Sequence, residues 1–300
     1  MILIISNKKD QTTVEVIKWL YRMNKQFIRV HEDEVFEIKT ESKKVFLESQ
    51  RNTFFLDDIK SVWYRRGGIR FKHFRYENDS IDEHMYEIQH WLQDYVLKTL
   101  ESKKHINKQS NSQINKLWVL EKAIQAGLDV PEYFLAENTD EVVLSKTIVK
   151  PIAGSSVLET LKKDSYGMMY TSIVEKPEKD TLFISFFQEK IEKDFEIRTF
   201  YLNGKTWSMA IFSQNDEQTK VDFRKYNDDK PNRNVRYKLP KDIEEKVHIL
   251  MQTLDLNCGS LDFMKSGNKY YFLEINPVGQ FGNVSADCNY FLEREIAPQL

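Results

Sequence analysis

The chain has 300 residues, of which 41% are hydrophobic and 30% charged, enough apolar material for about two domains or one subdivided enzyme. Its 44 basic and 46 acidic residues leave a formal charge of -2, which argues against a protein built to grip nucleic acid, and 30% charged residues together with 13% aromatics argue against a membrane-embedded or a disordered chain. The two cysteines, Cys258 and Cys288, have no Cys-x-x-Cys or histidine partner pattern. A disulfide framework or zinc site is therefore not expected, and a reducing, cytoplasmic setting is.

Ile2 to Ile5 is an apolar run too short to span a bilayer, without the basic flank or cleavage site of a signal peptide, and reads as a buried first strand. Val14 to Met23 carries apolar residues at helical spacing, with Asn24 as the stop, and Phe27 to Val30 is a second strand. Strand, helix and strand predict a right-handed crossover and a parallel pair. Residues 35–58 alternate weakly and predict an antiparallel excursion. Ser61 to Tyr64 is a further strand, ended by Arg65-Arg66-Gly67-Gly68, and a long helix is expected from Ile81 to Glu101.

Lys103 to Asn115 is polar and turn-rich, which places a domain boundary near residue 110. Beyond it, Ser112 to Gly127 predicts a helix capped by Ser112, with Leu117, Leu120 and Ile124 on one face and Gly127 at the C′ position. The remainder mixes short strands and helices without repeats.

Four segments carry chemistry. Thr147 to Lys150 is a β-branched run ending in a lysine, followed by the small-residue loop Ile152-Ala153-Gly154-Ser155-Ser156. An ammonium beside a loop of low bulk suits phosphate groups, although no Walker pattern is present. Phe183 to Ile191 is an apolar strand running into Gln188, Glu189, Lys190 and Ile191, a segment able to present backbone groups to the edge of a base such as adenine. Asp194 to Phe200 alternates with period two, so Glu196 and Arg198 share a face. That face is either solvated or aims an arginine at a phosphate or oxyanion.

Gly259 to Met264 and Lys269 to Pro277 then form a hairpin about Ser266-Gly267-Asn268. The alternation predicts Phe272, Glu274 and Asn276 on one face, with Asp262 alongside Glu274. Two carboxylates and an amide oxygen make a hard-oxygen set suited to magnesium, and a bound cation would account for two otherwise repelling carboxylates. Val278 to Val284 is a glycine-containing loop able to approach such a site closely. Arg224, Lys225, Arg233 and Arg236 form a basic stretch beside Asp222, which reads either as a solvated loop or as a grip on a substrate carboxylate.

Lys150-Pro151, Glu196-Ile197-Arg198, Asp262 and Glu274-Ile275-Asn276-Pro277 resemble, in order and spacing, the ATP-grasp superfamily, and the resemblance covers essentially the whole chain. It implies an α/β unit (1–110) ahead of an ATP-grasp fold whose two α+β subdomains (111–182 and 183–300) clasp the nucleotide. Lys116 and Lys150 would touch phosphates, Gln188, Glu189, Lys190 and Ile191 would meet the adenine, and Ser155 and Glu196 would be among the ATP-binding residues. Asp262, Glu274 and Asn276 would hold Mg2+, and Arg198 would act with Lys150 at the γ-phosphate or acyl phosphate.

Within the superfamily, Val62-Trp63-Tyr64-Arg65-Arg66, Val221 to Tyr226 and Leu273 to Phe281 resemble the graspetide (microviridin-type, grasp-with-spasm) peptide maturases. That closer resemblance implies a macrocyclase forming ω-esters or ω-amides in a ribosomal precursor peptide with a leader segment. Asp222, Arg224, Arg65 and Arg66 would bind substrate. Neither nucleic acid nor a membrane is expected as a partner, and a homodimer is left open. A ligase for a small molecule or protein tail, glutamate-ligase-like, and a non-catalytic ATP-binding module are the competing readings.

Overall fold

A computed structural model describes residues 1–152, 171–177, 183–214 and 232–300, and the backbone of 157–162 and 165–168. The chain forms two compact units. One contains Met1–Ser112, Pro277–Ser285 and Phe291–Leu300, and the other contains Gln113–Asn276 and Ala286–Tyr290.

The first unit opens with β1 (Ile2–Ser6), α1 (Gln11–Arg22) and β2 (Phe27–His31). All five residues of β1 are buried, because a parallel strand covered on both faces needs a continuous apolar run. Asp10 caps α1 by accepting from the Thr12 and Thr13 amides, and Asn24, at φ +52°, turns the chain out of the helix. After β3 (Val35–Glu41), β4 (Lys44–Glu48) and β5 (Thr53–Phe55) come β6 (Ser61–Tyr64), β7 (Arg70–Phe71), α2 (Asp79–Glu101) and β8 (Lys104–Ile106).

The main sheet has the order β2-β1-β6-β8 with every pair parallel, while β3, β4 and β5 pair antiparallel in a separate sheet that β7 joins. Leu3, Ile5, Val30, Val62, Val96 and Leu100 meet in the core of this unit. The tail closes on the same unit, with Ser61 Oγ donating to the Leu300 carbonyl at 2.7 Å. Residues 277–285 and 291–300 belong to this first unit.

The second unit starts with α3 (Lys116–Gln125). Its cap is Asn115, which accepts from the Trp118 amide, whereas Ser112 donates to the Gln109 carbonyl. The expected Ser112 cap is thus corrected. The polar run before the helix offers several capping side chains, and the chain turns at the last of them. Gly127 follows at φ +82°, the left-handed C′ position that favours glycine.

The strands β9 (Tyr133–Ala136), β10 (Thr147–Lys150), β11 (Val157–Lys162), β12 (Ser165–Met168), β13 (Ser172–Ile173) and β14 (Ser185–Glu189) come next. They give an antiparallel sheet of order β13-β10-β14-β9 and a β11-β12 hairpin. Then β15 (Phe195–Leu202), β16 (Lys205–Phe212), β17 (Arg233–Tyr237), α4 (Lys241–Thr253), β18 (Cys258–Ser266) and β19 (Lys269–Asn276) build a five-stranded antiparallel sheet of order β17-β16-β15-β18-β19.

One face of that sheet is apolar. Ile197, Tyr201, Leu261, Phe263, Phe272 and Ile275 pack with Val247, Leu250 and Met251 of α4 and Val119, Leu120 and Ala123 of α3. At about 25 cal/mol per Å² of apolar surface removed from water, this layer is what fixes the sheet's orientation and leaves its other face for polar groups. Gln113–Asn276 cluster as one compact unit with Ala286–Tyr290.

Candidate active site

The polar face of the five-stranded sheet carries a row of charged residues. Arg198 on β15 is in register with Asp262 on β18, and Asp262 with Glu274 on β19. One step along, Ser260 is opposite Asn276, so Asp262, Glu274 and Asn276 share a face. Arg198 donates from Nε and Nη2 to the two Asp262 carboxylate oxygens, both at 2.8 Å, in a fork that is 17% and 13% exposed. Asp262 holds the Arg198 pKa well above the ordinary arginine value, with burial opposing. Lys116, the first residue of α3, reaches Glu274 Oε2 at 3.1 Å. A cation at a helix N-terminus is opposed by the helix dipole, so this lysine is placed to answer an anion.

Two expectations about this hairpin change. The carboxylates are not unpaired, since Arg198 and Lys116 offset their charge. Phe272 does not share a face with Glu274 and Asn276. The ladder shifts between Asp262 and Phe263, where Phe263 pairs with Phe272, making Leu273 the extra residue of a β-bulge. A regular alternation misses this, because one inserted residue reverses the face of everything before it. Phe272 goes into the core against Phe263, and Leu273 turns into the lining of a neighbouring cavity.

That cavity, about 160 Å³, is lined by the 188–193 segment together with Ile148, Ile173, Gln214, Met264 and Leu273. Its apolar walls suit a planar base. Gln188 is 1% exposed, and its amide Oε1 and Nε2 have no hydrogen-bond partner among the described residues. A buried amide without partners costs free energy that a ligand offering both a donor and an acceptor recovers, as the edge of adenine does. Gln188 is paired with Ile148, and Lys150 lies two residues beyond Ile148 on the same face of β10, about 6.8 Å along the strand.

Glu189 and Lys190 use their backbone amides to bind the Glu132 and Lys146 carbonyls, anchoring the segment. The Lys190 side chain pairs with Glu192. Behind the cavity, Lys193 Nζ lies 2.5 Å from Glu196 Oε1, with both side chains buried, and Ser213 Oγ donates to Glu196 Oε2 at 3.2 Å. Burial pushes the Glu196 carboxyl up, and Lys193 pulls against it. Neither Lys193 nor Gln214 stood out in the sequence, because a lysine in a charged run gives no sign that it will be buried.

Among the expected substrate contacts, Arg65 is reassigned. Its side chain is 3% exposed, with Nε 3.1 Å from Asp10, Nη2 donating to Thr12 Oγ1 at 3.0 Å and Nη1 donating to the Val278 carbonyl. It holds the first unit together rather than facing a ligand. Arg66 is half-buried, and its Nε has no hydrogen-bond partner among the described residues. Arg236 donates to the Cys288 and Asn289 carbonyls and so ties down the chain there. Ser155, Asp222, Arg224 and Lys225 lie outside the described residues. Among the described residues no three His, Cys, Asp or Glu side chains form a metal-holding group, so the hard-oxygen set depends on Asn276 as its third member.

The fold defines a class, an ATP-grasp architecture preceded by a pre-ATP-grasp domain. Residues 1–113 match the family model of the MvdD pre-ATP grasp domain. The chain is similar to a Chryseobacterium gregarium RiPP-associated ATP-grasp ligase in complex with ADP and a leader and core peptide (23% identity, TM-score 0.77, 99% of this chain and 94% of that one). It is also similar to the macrocyclase MdnC of Microcystis aeruginosa MRC bound with precursor peptide MdnA (24% identity, TM-score 0.74, 99% and 98%). A third likeness is to the ATP-grasp ligase PsnB complexed with minimal precursor, Mg and ADP (14% identity, TM-score 0.69, 99% and 96%). No curated protein matches by sequence. No helix among the described residues is long and apolar enough to cross a membrane.

Proposed function

We propose that this chain is an ADP-forming ATP-grasp ligase that activates Asp or Glu side chains of a ribosomally made, leader-bearing precursor peptide and closes ω-ester or ω-amide crosslinks. The observation that carries this reading is the row Arg198, Asp262 and Glu274, in the same unit as a cavity lined by the orphaned Gln188 amide. Similar structures hold ADP, Mg and precursor peptides.

The residues fit the groups they would hold. Gln188 offers the paired donor and acceptor that an adenine edge needs. Asp262, Glu274 and Asn276 are oxygen donors of the kind magnesium takes, and magnesium, when bound, supplies positive charge at the phosphate oxygens. Lys150 lies on the cavity face, and Lys116 leaves Glu274 for a phosphate. Arg198, oriented by Asp262, supplies fixed positive charge near the site of reaction, where a preorganised donor needs no rearrangement.

The substrate carboxylate attacks the γ-phosphorus of ATP, and the bond to ADP breaks. A substrate hydroxyl or amine then attacks the acyl carbon, inorganic phosphate leaves, and the nucleophile gives up its proton. The protein positions and stabilises without forming a covalent bond itself. Asp222 and Arg224, and separately Arg66 of the first unit, are proposed peptide contacts, and Ser155 is a proposed phosphate contact. Incubation with a candidate leader-bearing precursor peptide, ATP and magnesium tests the reading by mass spectrometry. Successive losses of one water per ring support it. ADP release without the precursor, together with an unchanged peptide mass, points to a ligase for another substrate.

A further inference from the structure

The long helix α2 has two apolar faces, and the fold buries only one of them. At about 100° per residue, Val96 and Leu100 lie on the side that enters the core of the first unit, while Glu83, Glu87 and Lys98 lie round the solvent side. Between them runs a strip made of Ile81, Met85, Ile88, Leu92 and Tyr95, spaced four, three, four and three residues apart. That is the a/d spacing of a coiled-coil seam, which keeps one continuous line turned toward a partner helix. Ile81, Ile88, Leu92 and Tyr95, with Trp91 beside them, are 38–60% exposed. The Phe74 and Tyr76 amides donate to Gln89 Oε1 at 2.8 Å and Asp82 Oδ1 at 2.9 Å, which holds two more exposed rings along one border of the strip. At roughly 100 Å² each, these large side chains offer about 700 Å² in one contiguous face. Each partner in a standard interface gives about 800 Å².

We propose that this face is a homodimer interface, in which α2 packs antiparallel against α2 of a second copy about a two-fold axis. The occupant follows from charge and register. A two-fold axis normal to the plane of an antiparallel pair keeps each border of the seam beside the same border of its mate. Glu83, Glu87 and Lys98 lie along one border, acidic toward the start of the helix and basic toward its end. Parallel packing would bring the two acidic ends together. Antiparallel packing instead brings Glu83 and Glu87 to the end that carries Lys98, whose exposed ammonium pairs with Asp94 at 2.8 Å within its own helix, and it opposes the two helix dipoles. In that register Ile88 meets Leu92 of the second copy, and Met85 meets Tyr95. Leu92 and Tyr95 also line an open groove of about 410 Å³, walled by Ile38 of β3 and Val45 and Phe46 of β4, which receives the methionine. All these residues belong to the first unit, so the proposal is independent of the ligase reading.

The test is sedimentation velocity at micromolar concentration on the full-length protein, on its Ile88→Lys and Leu92→Glu variants, and on an equimolar mixture of the two variants. The wild type is expected at twice the chain mass. Each variant alone is expected at the chain mass, because its dimer would set two charges against apolar side chains and weaken association by about 100-fold. Both positions are exposed in a single copy, so circular dichroism should show folded variants. The mixture should recover the dimer, since the two new charges face each other across one layer only in the antiparallel register. Should either variant not fold, Ile81→Glu carries the test, with a weakening of about tenfold expected near the end of the seam. A wild type that stays monomeric, a dimer that survives the substitutions, or a mixture that stays monomeric overturns the proposal. A monomer that binds a fluorescein-labelled leader-bearing peptide, with that binding lost in Ile88→Lys, also overturns it and gives the face to a peptide instead.

Discussion

Gln188→Met separates the two roles of a buried amide, because stability and affinity should move in opposite directions. Gln188 is 1% exposed, and both polar atoms of its side chain are without partners among the described residues. A buried polar group left unsatisfied costs about 1–3 kcal/mol, so replacing the amide by a thioether of similar length should stabilise the nucleotide-free protein by about that much. Bound ADP would satisfy the amide through two hydrogen bonds of about 1 kcal/mol each, and losing both should weaken binding by about thirtyfold. Urea unfolding without nucleotide gives the first quantity and isothermal titration with ADP the second. A variant that is less stable than wild type and binds ADP equally well would refute the argument, since the amide would then be serving the fold.

Arg198→Met should abolish ligation and cost about 3 kcal/mol, because it strands the buried Asp262 carboxylate beside Glu274; adding Asp262→Leu should restore the unfolding midpoint without restoring product. Leu273→Ala should leave stability nearly unchanged but weaken ADP by about tenfold, since the bulged side chain lines the cavity, and a titration equal to wild type would contradict that placement. Asp10→Ala removes both the cap of α1 and the buried partner of Arg65, for a loss of about 3–5 kcal/mol in urea unfolding.

Burial raises the Asp10 pKa, but Arg65 and the Thr12 and Thr13 hydrogen bonds outweigh it and leave the group below its ordinary 3.8. The Asp10 contribution is therefore fully present above the unfolded value and lost as pH falls through the folded one. Unfolding midpoints measured downward from pH 5 should fall less steeply for Asp10→Asn than for wild type.

What the sequence revealed and what it hid divide along one physical line. Patterns written in consecutive residues were legible. The apolar run Ile2 to Ile5 of β1, the parallel β1–β2 pair, the hairpin of β18 and β19 and the facing of Asp262 with Glu274 all follow from local periodicity and turn chemistry. Features set by distant partners were not. Arg65 looks like an exposed arginine in Tyr64-Arg65-Arg66 until Asp10 and the Val278 carbonyl are brought to it by the fold. The Leu273 bulge reverses a face within the unbroken apolar run Tyr270-Tyr271-Phe272-Leu273, whose facing the sequence does not mark, and only pairing with Phe263 reveals it. Lys193 is one charge among many in Glu189 to Asp194, and its burial depends on Glu196 and Ser213 arriving from β15 and the end of β16.

Diffraction from crystals grown with ADP and Mn2+ in place of Mg2+, with data collected at the manganese edge, tests the metal and nucleotide placement directly. The account predicts an anomalous peak within coordination distance of Asp262, Glu274 and Asn276, with the base against Gln188 and Leu273 and Lys116 drawn from Glu274 toward phosphate. A peak elsewhere, or a nucleotide lying outside the cavity, would contradict it.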